Sequence, residues 1–477
     1  MSKTMSAALM AVLVSIVSLQ TANADAVEPG LVSYANWEFG FTVELPAGWK
    51  TKETRQWSDV TATRPAAQGA LAYRDSIDLQ VLDMTKKMSA QEFLEVLVGW
   101  ETQSADSYAE AEKGTVTTGA GEAPYAIYIN RSAGKNKDLT LKAVKYIVSR
   151  GMRAYCITCA ALPEAFDAGR PLFDKVAASF ALGTVPLDEA RRSFKTKLTR
   201  KEVGSYGVPQ PPAKLFRVAY YQSPAGKLPA YISQVPKDGK KRPAIIWIVG
   251  GPSNTISPVA WQDAPADDDQ SASAYRKAGV VTMLPALRGG NDNKSPREAF
   301  LGEVDDVLAA ADFLAKQEGI DAGRIYLGGH STGGTLALLV AECSDRFRAV
   351  FSFGPVGAVS PQIATSLPFD TTNIREIAIR SPGYWLSSVR SPVFIFEGTE
   401  KESNIDALRY MARTSNNPMI RFYGVKGVNH FSILAPVNTL IATRILQDKG
   451  TATSIAFSND ELNSQVRGGQ PRAGRAK

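Results

Sequence analysis

The stretch Arg324-Ile325-Tyr326-Leu327-Gly328-Gly329-His330-Ser331-Thr332-Gly333-Gly334 decides how this chain is to be read. Its opening residues suit a buried strand, residues 332–343 suit an apolar helix, and a G-x-S-x-G turn joins the two. Glycine is required on both sides of the serine because a strand that turns straight into a helix leaves no room for a Cβ. The turn therefore presents Ser331 at a helix N-terminus, as a nucleophile is presented. A serine hydroxyl reacts only when a base takes its proton, and imidazole, which titrates near neutrality, is the usual base. The sequence contains only two histidines. His330 adjoins the serine, where the turn sends neighbouring side chains apart, which suits packing or hydrogen bonding. His430, in Val425-Lys426-Gly427-Val428-Asn429-His430-Phe431, follows the last strand of the region and is by elimination the base.

Outward from this motif, residues 215–450 alternate strand and helix. Strands are expected at 216–221, 230–234, 244–249, 280–285, 324–328, 349–353, 392–396 and 419–425, with helices at 272–278, 303–317, 332–343, 404–414 and 436–448. After an opening antiparallel pair, this rhythm implies an α/β domain: a mainly parallel sheet with helices on both faces and its site at the carboxyl ends of the strands. Acyl transfer also needs hydrogen-bond donors for the oxyanion. The strand at 244–249 runs into Gly250-Gly251-Pro252-Ser253-Asn254, where Pro252 has no N–H, so Gly251 is the first candidate donor. Thr332, beginning the helix, is the second.

A chain of 477 residues exceeds what one core usually organises, so two domains are expected. Residues 27–182 read as a smaller α+β domain, opening on Trp37-Glu38-Phe39-Gly40-Phe41-Thr42-Val43-Glu44-Leu45-Pro46. Further strands are expected at 76–82, 125–130, 139–148 and 153–160, with helices at 89–102 and 166–179. This region contains no histidine. The polar stretch 183–214, rich in Pro towards its end, reads as a linker, and 451–477 as a disordered tail carrying Arg467, Arg472, Arg475 and Lys477.

Lys3, an apolar run at 7–19 and Ala22-Asn23-Ala24-Asp25-Ala26 read as a signal peptide over residues 1–26, cut after Ala24 or Ala26. The mature chain is then expected in the periplasm or outside the cell, and no later segment suits stable membrane insertion. Three cysteines are too few for a disulfide scaffold, and Cys156 and Cys159, three apart on a strand, face opposite ways as buried thiols. The net charge of +7 is spread along the chain, which suits a solvated tail or attraction to anionic envelope surfaces and argues against a nucleic-acid partner.

Two resemblances add to this reading. The series Pro243-Ala244-Ile245-Ile246-Trp247-Ile248-Val249-Gly250-Gly251-Pro252, Leu284-Pro285-Ala286-Leu287-Arg288-Gly289-Gly290, the 303–314 helix, the Ser331 motif and Ser391-Pro392-Val393-Phe394-Ile395-Phe396-Glu397-Gly398 resembles the prolyl-oligopeptidase-type branch of the α/β-hydrolases. That resemblance implies a serine-type peptidase or carboxylesterase working through an acyl-enzyme, with Ser331 as nucleophile, His430 as base, Gly251 at the oxyanion site, a small ester or peptide substrate, and no cofactor or metal. Relatives carry G-x-x-D after the penultimate strand, which here would put the acid at Lys401. Glu400 is the expected triad acid, with Glu402 and Glu397 as rivals, and the missing aspartate leaves open a catalytically inactive hydrolase-fold binding protein. Val249 stands where those relatives have histidine, and no β-propeller precedes the domain. Residues 27–182, through their F-x-V-x-L-P-x-G-W pattern and closing helix, resemble the PsbP/Mog1-like family, which implies a surface for a protein partner.

Overall fold

The computed structural model describes residues 30–53, 59–65, 74–104, 108–131, 140–183, 185–360 and 367–469. Residues 1–26, expected to be a signal peptide, and the basic residues Arg472, Arg475 and Lys477 lie outside the described residues. The chain divides into two compact units, one up to Thr184 and one from Val185.

In chain order the first unit comprises β1 (Leu31–Asn36), β2 (Phe41–Pro46), β3 (Lys50–Glu53), β4 (Val60–Thr63), β5 (Ser76–Asp83), α1 (Ala90–Ser104), β6 (Tyr108–Thr118), β7 (Gly121–Arg131), β8 (Thr140–Arg150), β9 (Arg153–Ala161), α2 (Pro163–Ser179) and β10 (Ala181–Leu182). Seven of the strands form an antiparallel sheet in the order β3-β4-β5-β9-β8-β7-β6, and β1, β2 and β10 form a second, small one. The two helices cover opposite faces of the large sheet. Phe166, Phe173 and Val176 of α2 pack with Ile157 and Cys159, whereas Phe93, Leu94 and Leu97 of α1 pack with Ala154 and Cys156. The two thiols thus sit in separate cores on opposite faces of β9, as alternation along a strand requires. The strands that the sequence pattern does not announce include the two edges: β3 is exposed along most of its length, and β6 is rich in charged and small residues, so neither shows apolar alternation.

The second unit begins with α3 (Leu187–Ser193) and continues through β11 (Phe216–Ser223), β12 (Gly226–Ser233), β13 (Arg242–Ile248), α4 (Ser273–Ala278), β14 (Val281–Pro285), α5 (Glu303–Ala315), β15 (Ile320–His330), α6 (Thr332–Cys343), β16 (Val350–Phe353), α7 (Ile374–Ala378), β17 (Val393–Gly398), α8 (Ile405–Thr414), β18 (Ile420–Val425), α9 (Leu434–Gln447) and α10 (Asn459–Gly469). Its eight strands lie in the order β11-β12-β14-β13-β15-β16-β17-β18. Only β12 runs against its neighbours; from β14 to β18 every pairing is parallel. Strands buried on both faces need continuous apolar runs, which Ala244-Ile245-Ile246-Trp247 and Val393-Phe394-Ile395-Phe396 supply. The chain passes from β13 to β14 on one side and then to β15 on the other. This switch in direction leaves a crevice at the carboxyl ends of β13 and β15, where ligands bind in sheets of this kind.

Two expected boundaries change. The stretch at 183–214 is no linker from Val185 on: Leu187 and Ala190 are buried, Arg191 pairs with Asp305 at 3.0 Å, and the N–H of Lys197 and the hydroxyl of Thr196 donate to Glu376. Arg191, Thr196 and the backbone of Lys197 tie the segment to other parts of the second unit, while most of its remaining polar residues face water. Residues 451–469 are likewise structured, not a disordered tail. Leu462 and Val466 of α10 are buried in the main core, and the buried carboxylate of Asp448 accepts from Arg348, Tyr326, Thr453 and the N–H of Ser454. Leu462→Ala is therefore expected to destabilise the protein by about 2–5 kcal/mol in urea unfolding, where a residue on a solvated tail would give no measurable change.

Candidate active site

The turn between β15 and α6 is tight because three glycines are pressed against backbone. A Cβ on Gly329 would strike the carbonyl of Gly333, one on Gly333 the carbonyl of Ile248 on β13, and one on Gly334 the carbonyl of Phe353 on β16. Between them Ser331 is held at φ +55°, a region that non-glycine residues enter only when their surroundings impose it. Its N–H donates to Phe353 O at 2.8 Å, and its carbonyl accepts from the N–H of Thr335 at 2.9 Å. The strain of the turn is thus offset by both adjoining strands and by the helix it opens.

His430 lies in the turn after β18, 8% exposed, and its Nδ1 is 3.0 Å from Oε2 of Glu397. Glu397 is the penultimate residue of β17 and is 0% exposed; its other oxygen, Oε1, accepts from the N–H of Gly398 at 2.8 Å. A carboxylate only accepts, so Nδ1 carries the proton of the neutral ring and Nε2 keeps its lone pair. Gly354, at φ +57°, leaves the room for this pair: a Cβ there would meet both the His430 ring and the Glu397 carboxylate.

The partner of the imidazole is Glu397 and not the expected Glu400. β17 extends two residues beyond the strand read from sequence, so the acid sits on the strand itself rather than on the loop that follows. Glu400 is exposed and its Oε1 accepts from the N–H of Gly427 at 3.1 Å. Glu402 is exposed as well and acts through its backbone, its carbonyl accepting from the N–H of His430 at 3.3 Å. Both glutamates thus brace the turn that carries His430 without reaching the ring. The sequence did carry a signal for Glu397: a carboxylate joined directly to a fully apolar strand must be paired to be buried.

His330 is tied into the same arrangement. Its Nε2 lies 2.9 Å from the carbonyl of His430, and the two rings stand 4.5 Å apart. A carbonyl only accepts, so Nε2 carries the proton, and Nδ1 takes a hydrogen bond from the side-chain amide of Gln270 at 3.0 Å. On the oxyanion side, the hydroxyl of Thr332 donates to the carbonyl of Gly251 at 2.6 Å, locking together the two residues expected to supply N–H donors. Gly251 takes φ +99°, and Gly250 is pressed against His330 and Ser331. Beside Gly251 and Thr332 opens a cavity of about 390 Å³ with mainly apolar walls, including Ile248, Val259, Phe300 and Leu336. Among the described residues no hydrogen bond joins Ser331 to the His430 ring, a contact that commonly tightens only with substrate. Among the described residues, too, no group of three or more His, Cys, Asp or Glu side chains could hold a metal ion.

Burial, and after it the neighbouring His430, push the His330 imidazole down from 6.5 to about 3. The unfolded chain takes up a proton near 6.5 that the folded chain refuses until about 3, so this residue subtracts stability progressively as pH falls below 6.5. His330→Gln is expected to lose less stability than the wild type between pH 8 and pH 5. Thermal unfolding of both proteins across that range measures the difference.

Residues 267–393 match the prolyl oligopeptidase family, a span that contains Ser331 and ends before Glu397 and His430. Prolyl oligopeptidase A of Amanita bisporigera is 34% identical over 79 residues, 15% of this chain and 10% of that protein. The chain thus spans about a tenth of the length of this curated relative. Similar solved structures include 2,6-dihydroxy-pseudo-oxynicotine hydrolase (TM-score 0.40, 16% identity, 50% of this chain and 68% of that one) and the Pyrobaculum calidifontis esterase (TM-score 0.37, 16% identity, 55% and 88%). Thermogutta terrifontis esterase 2 is similar too, at TM-score 0.37 and 20% identity over 52% of this chain and 97% of that one. By its strand order, its single antiparallel inner strand and the Ser331 turn, the second unit of this chain has the α/β-hydrolase fold.

Proposed function

We propose that the protein is a serine hydrolase that cleaves an ester or peptide bond through an acyl-enzyme on Ser331. The observation that carries this reading is the buried hydrogen bond between Glu397 and His430 Nδ1, at 3.0 Å, next to a serine held at φ +55°. His430 Nε2 takes the proton as Ser331 Oγ attacks the carbonyl carbon, and Glu397 orients the ring and stabilises the imidazolium that forms. The N–H groups of Gly251 and Thr332 receive the negative charge that develops on the carbonyl oxygen. As the tetrahedral intermediate collapses, the imidazolium gives its proton to the leaving alcohol or amine. Water then repeats the sequence on the acyl-enzyme, with His430 again as base, and releases the acid and free Ser331.

The buried carboxylate of Glu397 beside His430, standing in for the one that Lys401 lacks, supports an active enzyme over an inactive hydrolase-fold binding protein. The role proposed for the first unit is to hold a protein partner, a reading that rests on the resemblance of its sequence pattern to the PsbP/Mog1-like family. The choice between ester and amide rests with the leaving group, and comparing 4-nitrophenyl esters with peptide 4-nitroanilides on the full chain decides it.

On whichever substrate is turned over, Ser331→Ala and His430→Ala are expected to lower kcat/KM by about 10⁴-fold or more, and Glu397→Ala by roughly 10²-fold or more. Glu400→Ala is expected to cost far less than Glu397→Ala. Equal losses for the two glutamate variants would show that the acid has been assigned to the wrong residue.

A further inference from the structure

The turn that carries His430 puts a second ring beside it. Phe431, the next residue, is 38% exposed, whereas Val428, Ile433 and Leu434 on either side are buried in the core. A single apolar side chain open to water is ordinary by itself. The rings it meets set this one apart. Its centre lies 5.0 Å from that of His430, with the two planes at 86°, and 5.5 Å from that of His330.

The backbone holds the ring there before any ligand arrives. The N–H of Phe431 donates to Asn429 Oδ1 at 3.0 Å, and its carbonyl accepts from the N–H of Leu434, at the start of α9, at 3.1 Å. Asn429 Oδ1 also accepts from the N–H and the hydroxyl of Ser432, at 2.9 and 3.0 Å, which closes the turn around Phe431. The side chain is therefore anchored from both sides, and little ordering is left for a ligand to impose on it.

Its place beside the base decides what this exposed ring can touch. An imidazole is only about two bond lengths across, so a ring centred 5.0 Å from its centre is a near neighbour of Nε2 whichever way it faces. Glu397 occupies Nδ1, which leaves Nε2 to protonate the leaving alcohol or amine from hydrogen-bond distance. From that position an aryl group on the leaving atom can lie against the open part of the Phe431 ring. Covering apolar surface there is favourable, and two aromatic rings gain further from the opposite charges of edge and face. Neither His430 nor Phe431 lines the cavity beside Gly251 and Thr332, so this apolar shelf is a separate feature of the site.

We propose that Phe431 is a specificity-determining residue of this site, selecting substrates with an aromatic leaving group. The assignment rests on the serine-hydrolase reading. The experiment takes an acyl group that the full chain turns over and compares kcat/KM for its benzyl and ethyl esters, or for the corresponding amides. The two leaving groups are of nearly equal acidity and the two substrates form the same acyl-enzyme, so a difference in kcat/KM reports contacts made by the leaving group during acylation. The wild type is expected to favour the benzyl substrate by about tenfold or more. Phe431→Ala, with its melting curve recorded alongside, is expected to lose that preference and Phe431→Tyr to keep it. A wild type that takes a fluorophosphonate on Ser331 yet cleaves both substrates alike overturns the assignment. So does a preference that survives in Phe431→Ala, or an equal loss on both substrates in that variant, which is what a purely structural role gives. Failure of the folded wild type to take up the fluorophosphonate overturns the hydrolase reading itself and this assignment with it.

Discussion

The hydrogen bond between Glu397 and His430 is the interaction on which the site depends. A carboxylate with no exposure to water is stable only if its oxygens are occupied, and Glu397 has both engaged, by the N–H of Gly398 and by the imidazole. Its position is set by the sheet. Phe353 stacks on Phe396 at 5.1 Å and Phe396 on Tyr423 at 5.3 Å, a ladder of rings across β16, β17 and β18 that holds the end of β17 in register. Glu397, next along the strand, points to the other face, where Gly354 leaves it room to meet the ring. Because the acid lies on a central strand, the histidine turn must come to it. The backbone of Glu402 and the carboxylate of Glu400 hold that turn from one side, and His330 from another.

The serine reaches the same place by a different constraint. Gly329, Gly333 and Gly334 allow β15 and α6 to approach β13 and β16 at backbone distance, and this close fit keeps Ser331 at positive φ. The residue before the serine then has a fixed direction, and its ring binds the backbone of His430. The turns that carry Ser331 and His430 are in this way coupled through the hydrogen bond from His330 to the His430 carbonyl. The contact between Thr332 and Gly251 adds the loop proposed to bind the oxyanion to the same unit. Preorganisation of this sort, with donors and base set before substrate arrives, is where much of the rate of an acyl-transfer site comes from.

Much of this could be read from the amino acids. The G-x-S-x-G turn between a strand and a helix, the scarcity of histidine and the alternation of apolar runs lead to Ser331, His430 and the parallel sheet, because each follows from local sterics or chemistry. Glu397 was harder to single out from Glu400 and Glu402: three carboxylates lie within six residues, and the choice depends on where β17 ends, which pairing with β18 decides and local sequence does not. Residues 185–214 and α10 misled for a related reason. Their polar, proline-containing sequences suit loops and tails, and only tertiary partners such as Glu376, Asp305 and the core around Leu462 give those segments a buried side. The charged edge strands of the first unit escaped notice because an edge needs no apolar alternation.

The central claim is that Ser331 is a nucleophile activated by His430. It is tested most directly by treating the full chain with a fluorophosphonate and locating the adduct by peptide mass spectrometry. The account predicts one phosphonyl group per chain, on Ser331, with labelling abolished in Ser331→Ala and strongly slowed in His430→Ala. A folded wild-type protein that takes up no label, or takes it up at another residue, would contradict it.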